Sequence, residues 1–140
     1  MCASLVSFIP EWGENITNAT YTYDQCPGLK GTVPEWTSKI TNASYTYHLC
    51  TGITGRIPDW GENIYTATYA YQGCHGLRGP VPEWNEKISA ANSTYDGCTG
   101  IIGRVPNWTS AMVNAQSTFY NCYRLTGPIP EWGDNITNTT

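Results

Sequence analysis

The cysteines of this 140-residue chain constrain its fold more than any other feature, because they recur at one fixed interval. A cysteine stands every 24 residues, and the text between successive cysteines repeats without insertion or deletion. The six positions are Cys2, Cys26, Cys50, Cys74, Cys98 and Cys122. A fixed period of this length is typical of stacked repeats, in which each unit buries its apolar side against its neighbours. The sequence therefore predicts a single repeat domain over residues 1–140.

Each predicted repeat begins at a cysteine, and positions are given below as offsets from that cysteine. The repeats are 2–25, 26–49, 50–73, 74–97, 98–121 and an incomplete 122–140. The second repeat illustrates the pattern: Leu29 at offset 3, Gly31 at offset 5, Val33 at offset 7, Pro34 at offset 8 and Trp36 at offset 10. Offsets 3, 5 and 7 alternate with variable polar residues, which predicts one short strand per unit. Glycine at offset 5 suggests close backbone approach, and proline ends the strand.

The second half of each unit carries two competing patterns. Offsets 14, 17, 21 and 24 are spaced by 3, 4 and 3 residues, which is helical, as at Ile40, Ala43 and Tyr47. The alternation of threonine and tyrosine near offset 19 is instead typical of a strand. Offset 19 changes to serine at Ser93 and Ser117, whereas the helical set keeps its residue types. A short helix or helical turn is therefore predicted, within a repeat solenoid that has a parallel sheet along its length.

The units resemble a known repeat family. The run Cys-Pro-Gly-Leu-Lys-Gly-Thr-Val-Pro at 26–34 is followed by an isoleucine, an alanine and an aromatic residue three positions before the next cysteine. This pattern resembles the leucine-rich repeats of bacterial surface antigens of the BspA-like type, over the whole chain. The resemblance implies a leucine-rich-repeat-like solenoid, with one short parallel strand and one short helix per unit, and a parallel β-helix is the alternative. It also implies a surface-exposed, non-enzymatic protein used in adhesion or recognition.

Charge and hydropathy exclude several classes of partner. The net charge is −4, and only seven lysines and arginines are present. Nucleic acid is not predicted as a partner, because phosphate binding needs clustered cations. No run of about 18 apolar residues exists, so no membrane insertion is predicted. The first ten residues are repeat text rather than a signal peptide, so the signal of a secreted protein would lie upstream of this sequence or would have been removed.

The cysteine column has three possible roles. All six thiols occupy one offset, so neighbours would lie about 5 Å apart with side chains pointing the same way. We predict a structural ladder of buried thiols that act as small apolar residues. Disulfides between adjacent units are the alternative. A metal site is not predicted, because no Cys-x-x-Cys occurs and His48 and His75 stand at different offsets.

Two other columns are candidates for binding. Indoles at offset 10 could stack against sugar rings or a protein partner, or could pack on one another inside the fold. They are Trp12, Trp36, Trp60, Trp84, Trp108 and Trp132. Acidic residues at offset 9 could bind calcium or a cationic ligand, or could simply be solvated at a turn. They are Glu11, Glu35, Asp59, Glu83 and Glu131, with Asn107 replacing the acid once.

Asparagine acceptors for N-glycosylation are more numerous than chance would give. The seven Asn-x-Ser/Thr sites are Asn15, Asn18, Asn42, Asn92, Asn107, Asn135 and Asn138. In a secreted eukaryotic protein they would carry glycans on the polar surface. No paired carboxylates on facing columns, Ser-His-Asp arrangement or phosphate loop can be assembled, so neither a catalytic residue nor a cofactor is predicted.

Two functions are predicted from these patterns. The first is a non-enzymatic extracellular or cell-surface repeat protein that acts as a structural and adhesive module, with a protein or glycan ligand. The second is a subunit of an extracellular fibril that stacks end to end with copies of itself, because a head-to-tail contact of this kind does not close.

Overall fold

The computed structural model describes residues 4–139, so the predicted ladder position Cys2 lies outside the described residues. The chain has one short strand in each unit. The strands are β1 (Ser7–Phe8), β2 (Leu29–Thr32), β3 (Ile53–Thr54), β4 (Gly79–Pro80), β5 (Ile101–Arg104) and β6 (Leu125–Thr126). The prediction of one short strand per unit is therefore confirmed, but the strands end by offset 6 and do not include the predicted offset 7.

The strands pair in parallel, unit with unit. They form two three-stranded sheets, β1-β2-β3 and β4-β5-β6. A parallel bridge between Gly55 and Leu77 continues the pairing from one sheet to the other. Gly31 pairs with Ile53 and Gly79 with Ile101, so offset 5 of one unit lies opposite offset 3 of the next. This stagger of two residues keeps the same side chains on the same face of the sheet, because side-chain direction alternates with period 2.

A second line of parallel bridges holds the units together at offset 16. Here the register is one full repeat, without stagger. The bridges run Asn18↔Asn42, Asn42↔Thr66, Thr66↔Ala90, Ala90↔Asn114 and Asn114↔Asn138. Each unit is thus tied to the next along two lines, one through its strand and one through the residue just before the inward alanine of offset 17.

The predicted helix is wrong: residues 4–139 contain no helix, and the second half of each unit bonds to the next unit instead. The backbone N–H groups of Tyr45 and Tyr47 donate to the oxygens of Thr68 and Ala70, both at 2.9 Å. Other backbone N–H groups of the same segment close tight turns within the unit, such as Cys50 N–H, which donates to the oxygen of Tyr47 at 3.0 Å. The backbone therefore makes strand-like hydrogen bonds to the next unit, while tight turns within the unit change its direction.

Left-handed backbone conformations explain why no helix forms there. Offset 19 has a positive φ in each of the first five units, for example 57° at Tyr45 and 49° at Ser93. Offset 23 also has a positive φ in these five units, for example 57° at Leu49 and 74° at Gly73. A residue in the left-handed region interrupts a right-handed helix. The three-residue spacing of the inward residues thus comes from successive tight turns and not from helical turns.

The core is one continuous column of apolar side chains along the repeats. Leu29, Ile40, Ala43, Tyr47 and Cys50 illustrate one level of it, and each is at most 1% exposed. These residue types recur at the same offsets in the other central units, where they are also buried. Each unit contributes too few apolar groups for a core of its own, so stability depends on contact between units.

A buried threonine at offset 20 was not predicted. The hydroxyl of Thr94 donates to the oxygens of Ala67 (2.9 Å) and Ala91 (2.8 Å), and so links one unit to the one before. Thr46 and Thr118 make the equivalent pair of bonds. Ala70 stands at this offset in the third unit and is fully buried without a hydroxyl. The chain therefore allows units that have this hydroxyl hydrogen bond to be compared with one unit that lacks it.

We expect Thr94→Val to lower the free energy of unfolding by about 1 kcal/mol, because it removes a buried hydrogen bond while nearly keeping the side-chain shape. Ala70→Thr should raise that free energy by about 0.5–1 kcal/mol, because the equivalent space holds threonine in neighbouring units. Urea denaturation followed by circular dichroism measures both changes. Equal stabilities for all three proteins would contradict a role for this hydroxyl between units.

Glycine is needed at two offsets for different structural reasons, and the close backbone approach predicted for offset 5 is only partly right. Gly79 and Gly103 at offset 5 have φ of 86° and 90°, and a Cβ there would make ordinary contacts at 3.8–3.9 Å. Their role is conformational. Close backbone approach occurs at offset 2 instead: a Cβ on Gly76 would lie 2.1 Å from the oxygen of Ile53.

Candidate functional site

The tryptophan column lies largely inside the fold. The six indoles stack in sequence with ring centroids 5.2–6.0 Å apart and interplanar angles of 13–17°. Trp36, Trp60 and Trp84 are 5–8% exposed, whereas Trp132 is 47% exposed. Both faces of each central ring are covered by neighbouring rings. This geometry favours packing over ligand stacking for the central indoles, and the binding role of the column stays a prediction.

A parallel column of aromatic rings at offset 21 packs against the tryptophans. Tyr47, Tyr71 and Tyr95 are fully buried and stacked at 5.6–5.9 Å. The hydroxyl of Tyr71 accepts a hydrogen bond from Trp36 Nε1 at 3.1 Å, whereas the buried hydroxyl of Tyr47 has no hydrogen-bond partner among the described residues. Burial raises the pKa of all three phenols well above the ordinary value. Neutral, immobile phenols of this kind serve packing.

The described cysteines carry buried thiols and form no disulfide. Cys74 Sγ donates to the oxygen of Tyr47 at 3.0 Å, and Cys98 Sγ to the oxygen of Tyr71 at 3.1 Å, so each thiol bonds to the neighbouring level. Desolvation by burial raises the pKa of Cys74 well above its usual range and that of Cys122 to about 12. The described cysteines thus lie buried at successive levels, and their structural role as a thiol ladder stays a prediction.

We expect the thiols of Cys74 and Cys98 to resist alkylation by iodoacetamide at pH 8 in the folded protein. The thiolate is the nucleophile, and burial with a raised pKa leaves almost none of it accessible. Mass spectrometry of tryptic peptides measures the modification at each cysteine over time. Modification should become complete in denaturant, and rapid modification of Cys74 in the folded protein would contradict the buried ladder.

The acidic column lies on the surface and is partly neutralised. Glu35 and Glu83 form exposed ion pairs with Arg56 and Arg104, at 2.5 and 2.6 Å. A shallow groove of about 270 Å³ runs beside Glu35 between two proline levels. Within residues 4–139 no three histidine, cysteine or acidic side chains are grouped to hold a metal ion. The exposed ion pairs agree with solvated turn residues, for which screening makes the charges tolerable.

The predicted glycosylation sites all reach the surface at least in part. Asn18 and Asn42 accept hydrogen bonds from the backbone N–H groups of Thr20 and Ser44 through their Oδ1 atoms, both at 2.9 Å. Such local bonds are Asx turns. The exposed acceptors are Asn15, Asn18, Asn107 and Asn135, and the half-buried ones are Asn42, Asn92 and Asn138. Their modification stays a prediction.

The most unusual surface feature is a row of three tyrosines at offset 19, here called the tyrosine ladder: Tyr21, Tyr45 and Tyr69. Their rings stack at 4.6 and 4.7 Å with interplanar angles of 16° and 20°. Tyr21 is 56% exposed, and the other two are half-buried. All three residues have φ of 57°. A bulky residue in this region is a conformational outlier, so the row needs an explanation.

Polar side chains at offset 22 flank the ladder. His48 Nδ1 lies 2.6 Å from Asp24 Oδ1, and Gln72 Nε2 donates to Asp96 Oδ2 at 2.7 Å. The imidazole of His48 stands edge-on to Tyr45, with ring centroids 5.4 Å apart. Offsets 19 and 22 of one unit are therefore neighbours on the same surface. Together they present aromatic rings beside hydrogen-bonding groups, a combination suited to recognition.

The positive φ at offset 19 belongs to the fold and not to the tyrosines themselves. Ser93 and Ser117 occupy the same offset with φ of 49° and 53°, so the backbone adopts this conformation with a small residue as well. The first three units differ in carrying large rings at this offset, and each stacked pair contributes about 0.5–1.5 kcal/mol. The rings also leave aromatic surface in contact with solvent, where a partner could pack.

The tyrosine ladder is not predicted by the constant columns of the repeat, although the sequence carries a signal for it. Offset 19 changes from tyrosine to serine in later units, and variation at a surface offset is typical of a recognition surface. The acidic, tryptophan and cysteine columns are nearly constant, and the structure places the last two mainly inside.

Comparison of the chain with protein-family models, with curated proteins and with solved structures gives no significant match. The resemblance to BspA-like leucine-rich repeats accordingly stays a prediction. Within residues 4–139 the chain also has no apolar helix of membrane-spanning length.

Proposed function

We propose that this chain is a non-enzymatic repeat solenoid that acts as a structural and adhesive module at a cell surface or outside the cell, and that it binds its partner through the tyrosine ladder. The observation that carries the proposal is the set of three stacked, solvent-accessible tyrosines held at φ of 57°. Tyrosine supplies a large contact area with little loss of side-chain entropy, which is why it is frequent in binding surfaces.

The architecture supports this proposal in a second way. Two lines of parallel bonds and a continuous aromatic core hold the units in fixed register. A site built on such a framework keeps its geometry without a ligand, so binding requires little ordering of the protein. The acidic charge of the chain and the flanking groups Asp24 and Asp96 favour a neutral or cationic partner over an anionic one.

A triple variant tests the proposal: Tyr21→Ser, Tyr45→Ser and Tyr69→Ser in one chain. Serine at the same offset in later units indicates that the backbone tolerates the change. Beads coated with protein are passed over arrays of extracellular-matrix proteins and glycans, and retained beads are counted. We expect retention of the wild type on a subset of the surfaces and its loss in the triple variant.

The matched control removes two exposed tyrosines outside the ladder, Tyr65→Ser and Tyr123→Ser, which are 50% and 78% exposed. This control should be retained like the wild type. The proposal fails when the wild type is retained on no surface, or when the triple variant and the control lose retention equally.

End-to-end assembly is the second candidate function, and the uniformity of the unit boundaries favours it. Tyr23, Tyr47, Tyr71 and Tyr95 each donate their backbone N–H to the next unit at 2.9–3.0 Å. A unit with nothing stacked on it would present this same surface, which fits a unit of another copy. Electron microscopy tests this candidate: fibres with an axial rise of whole units support it, and isolated short rods at every concentration contradict it.

A further inference from the structure

A row of charged side chains lies on the surface where offset 9 of one unit meets offset 6 of the next. Glu35 Oε1 accepts a hydrogen bond from Arg56 Nη2 at 2.5 Å, and Glu83 Oε1 accepts one from Arg104 Nη2 at 2.6 Å. All four side chains are 59–66% exposed. These two pairs show where the chain places a guanidinium relative to a glutamate at offset 9.

The first level of this row lacks its arginine. Glu11 stands at offset 9 of the first unit, and Thr32 occupies the facing offset 6 of the second unit. Within residues 4–139, Glu11 takes part in no ion pair. It is therefore an exposed acid without a cationic partner among these residues, whereas the equivalent acids Glu35 and Glu83 are each paired.

A surface groove lies at the level where the arginine is missing. Its volume is about 270 Å³, and both Glu11 and Thr32 line it. One water needs only about 10–15 Å³ of such volume, so the groove accommodates a much larger group. The buried residues Val33, Pro34 and Pro58 supply its apolar lining. The aliphatic stem of a long cationic side chain packs well on such a surface while its charged end stays at the edge.

We propose that this groove is a second binding surface of the protein and that it takes an arginine side chain of a protein partner. The guanidinium donates to the carboxylate of Glu11, in the place of the missing arginine, and to Glu35 Oε2, because Arg56 engages only the other oxygen. The stem of the arginine packs on Pro34 and Pro58. None of the groove residues belongs to the tyrosine ladder, so this site is independent of the proposed function.

Charge and geometry favour arginine over other cations in this groove. The two carboxylates and the one guanidinium that line it carry a net charge of −1, which one added cation neutralises. A planar guanidinium has several N–H donors in a fixed fork and reaches two carboxylates at once, whereas a lysine ammonium is a compact, strongly hydrated charge. Calcium needs about six to eight oxygen ligands, and within residues 4–139 no three metal-binding side chains are grouped.

An NMR titration with the peptide acetyl-Gly-Arg-Gly-amide, whose only charge is the guanidinium, tests the site. We expect the backbone amide signals of Glu11, Thr32 and Glu35 to shift with added peptide, and those of the ladder residues Tyr45 and Tyr69 to stay in place. Exposed ion pairs are individually weak, so the dissociation constant should be millimolar and should rise in about 0.5 M NaCl. The corresponding lysine peptide should bind about threefold more weakly or less.

A variant that fills the groove from the chain itself makes the test specific. Thr32→Arg supplies the missing arginine and should weaken binding of the arginine peptide about tenfold or more. Arg56 and Arg104 stand at the same offset, so this variant should fold. Thr54→Arg is the matched control, because it adds the same charge at exposed offset 4, where Arg78 stands in the next unit. This control should bind the peptide within about twofold of the wild type.

A second pair of variants removes the acid instead. Glu11→Gln keeps the shape of the side chain without its charge and should weaken peptide binding about threefold to fivefold. Glu131→Gln makes the same change at offset 9 of the last unit and should leave binding unchanged. The inference is overturned when the arginine peptide shifts no groove signal, when Thr32→Arg binds like the wild type, or when the lysine peptide binds as tightly. Shifts of these signals with calcium chloride and not with the peptide would assign the carboxylates to a metal and also reject it.

Discussion

Trp60→Ala is expected to lower the free energy of unfolding by about 3–5 kcal/mol. Trp60 is 7% exposed and lies between Trp36 and Trp84, with ring centroids 5.9 and 6.0 Å away. Tyr71 and Tyr95 contact the same indole at 5.6 and 6.3 Å. Alanine would leave a cavity between four rings that cannot collapse, because each of them is held by its own neighbours. Urea denaturation followed by circular dichroism measures the loss.

Trp132→Ala is the matched control for this prediction. Trp132 belongs to the same column and stacks on Trp108 at 5.2 Å, but it is 47% exposed. Its removal should lower the free energy of unfolding by about 1–2 kcal/mol, because less apolar area is lost and no closed cavity forms. Equal losses at the two positions would show that the indoles do not form a packed interior column.

The strands and their parallel pairing could be predicted because they follow from the repeat itself. Identical units with an aliphatic residue at offsets 3 and 7, such as Leu29 and Val33, have one apolar side and no partner except each other. Parallel pairing of equivalent segments satisfies both the backbone and the apolar side chains. The stagger between Gly31 and Ile53 could not be predicted, because a shift of two residues leaves the inward pattern unchanged.

The second half of the unit could not be predicted from apolar periodicity. Ile40, Ala43, Tyr47 and Cys50 are buried as the pattern indicates, yet the segment is a series of tight turns. Periodicity reports which side chains face inward and not how the backbone brings them there. The deciding feature is the positive φ of residues such as Tyr45, which has no signature in the residue type because tyrosine rarely adopts that conformation.

Gly76→Ala is expected to lower the free energy of unfolding by about 3 kcal/mol or more. The added Cβ would lie 2.1 Å from the backbone oxygen of Ile53, and this contact repeats at Gly28 with Leu5 and at Gly100 with Leu77. A flexible side chain could move aside, but Ile53 belongs to strand β3 and cannot shift without separating two units. The sequence shows glycine at offset 2 in the central units, although its reason is visible only in the structure.

Two other glycines separate close approach from conformational strain as the cause of this loss. Gly79→Ala should lower the free energy of unfolding by about 1–2 kcal/mol, because the φ of 86° is strained for alanine while the nearest atom is 3.9 Å away. Gly13→Ala should change it by less than about 0.5 kcal/mol, because a Cβ there meets only Ile16 Cγ1 at 3.6 Å. The urea concentrations at the unfolding midpoints of the three variants rank their losses of stability directly. A larger loss for Gly79→Ala than for Gly76→Ala would mean that backbone conformation, and not contact between units, limits stability in this fold.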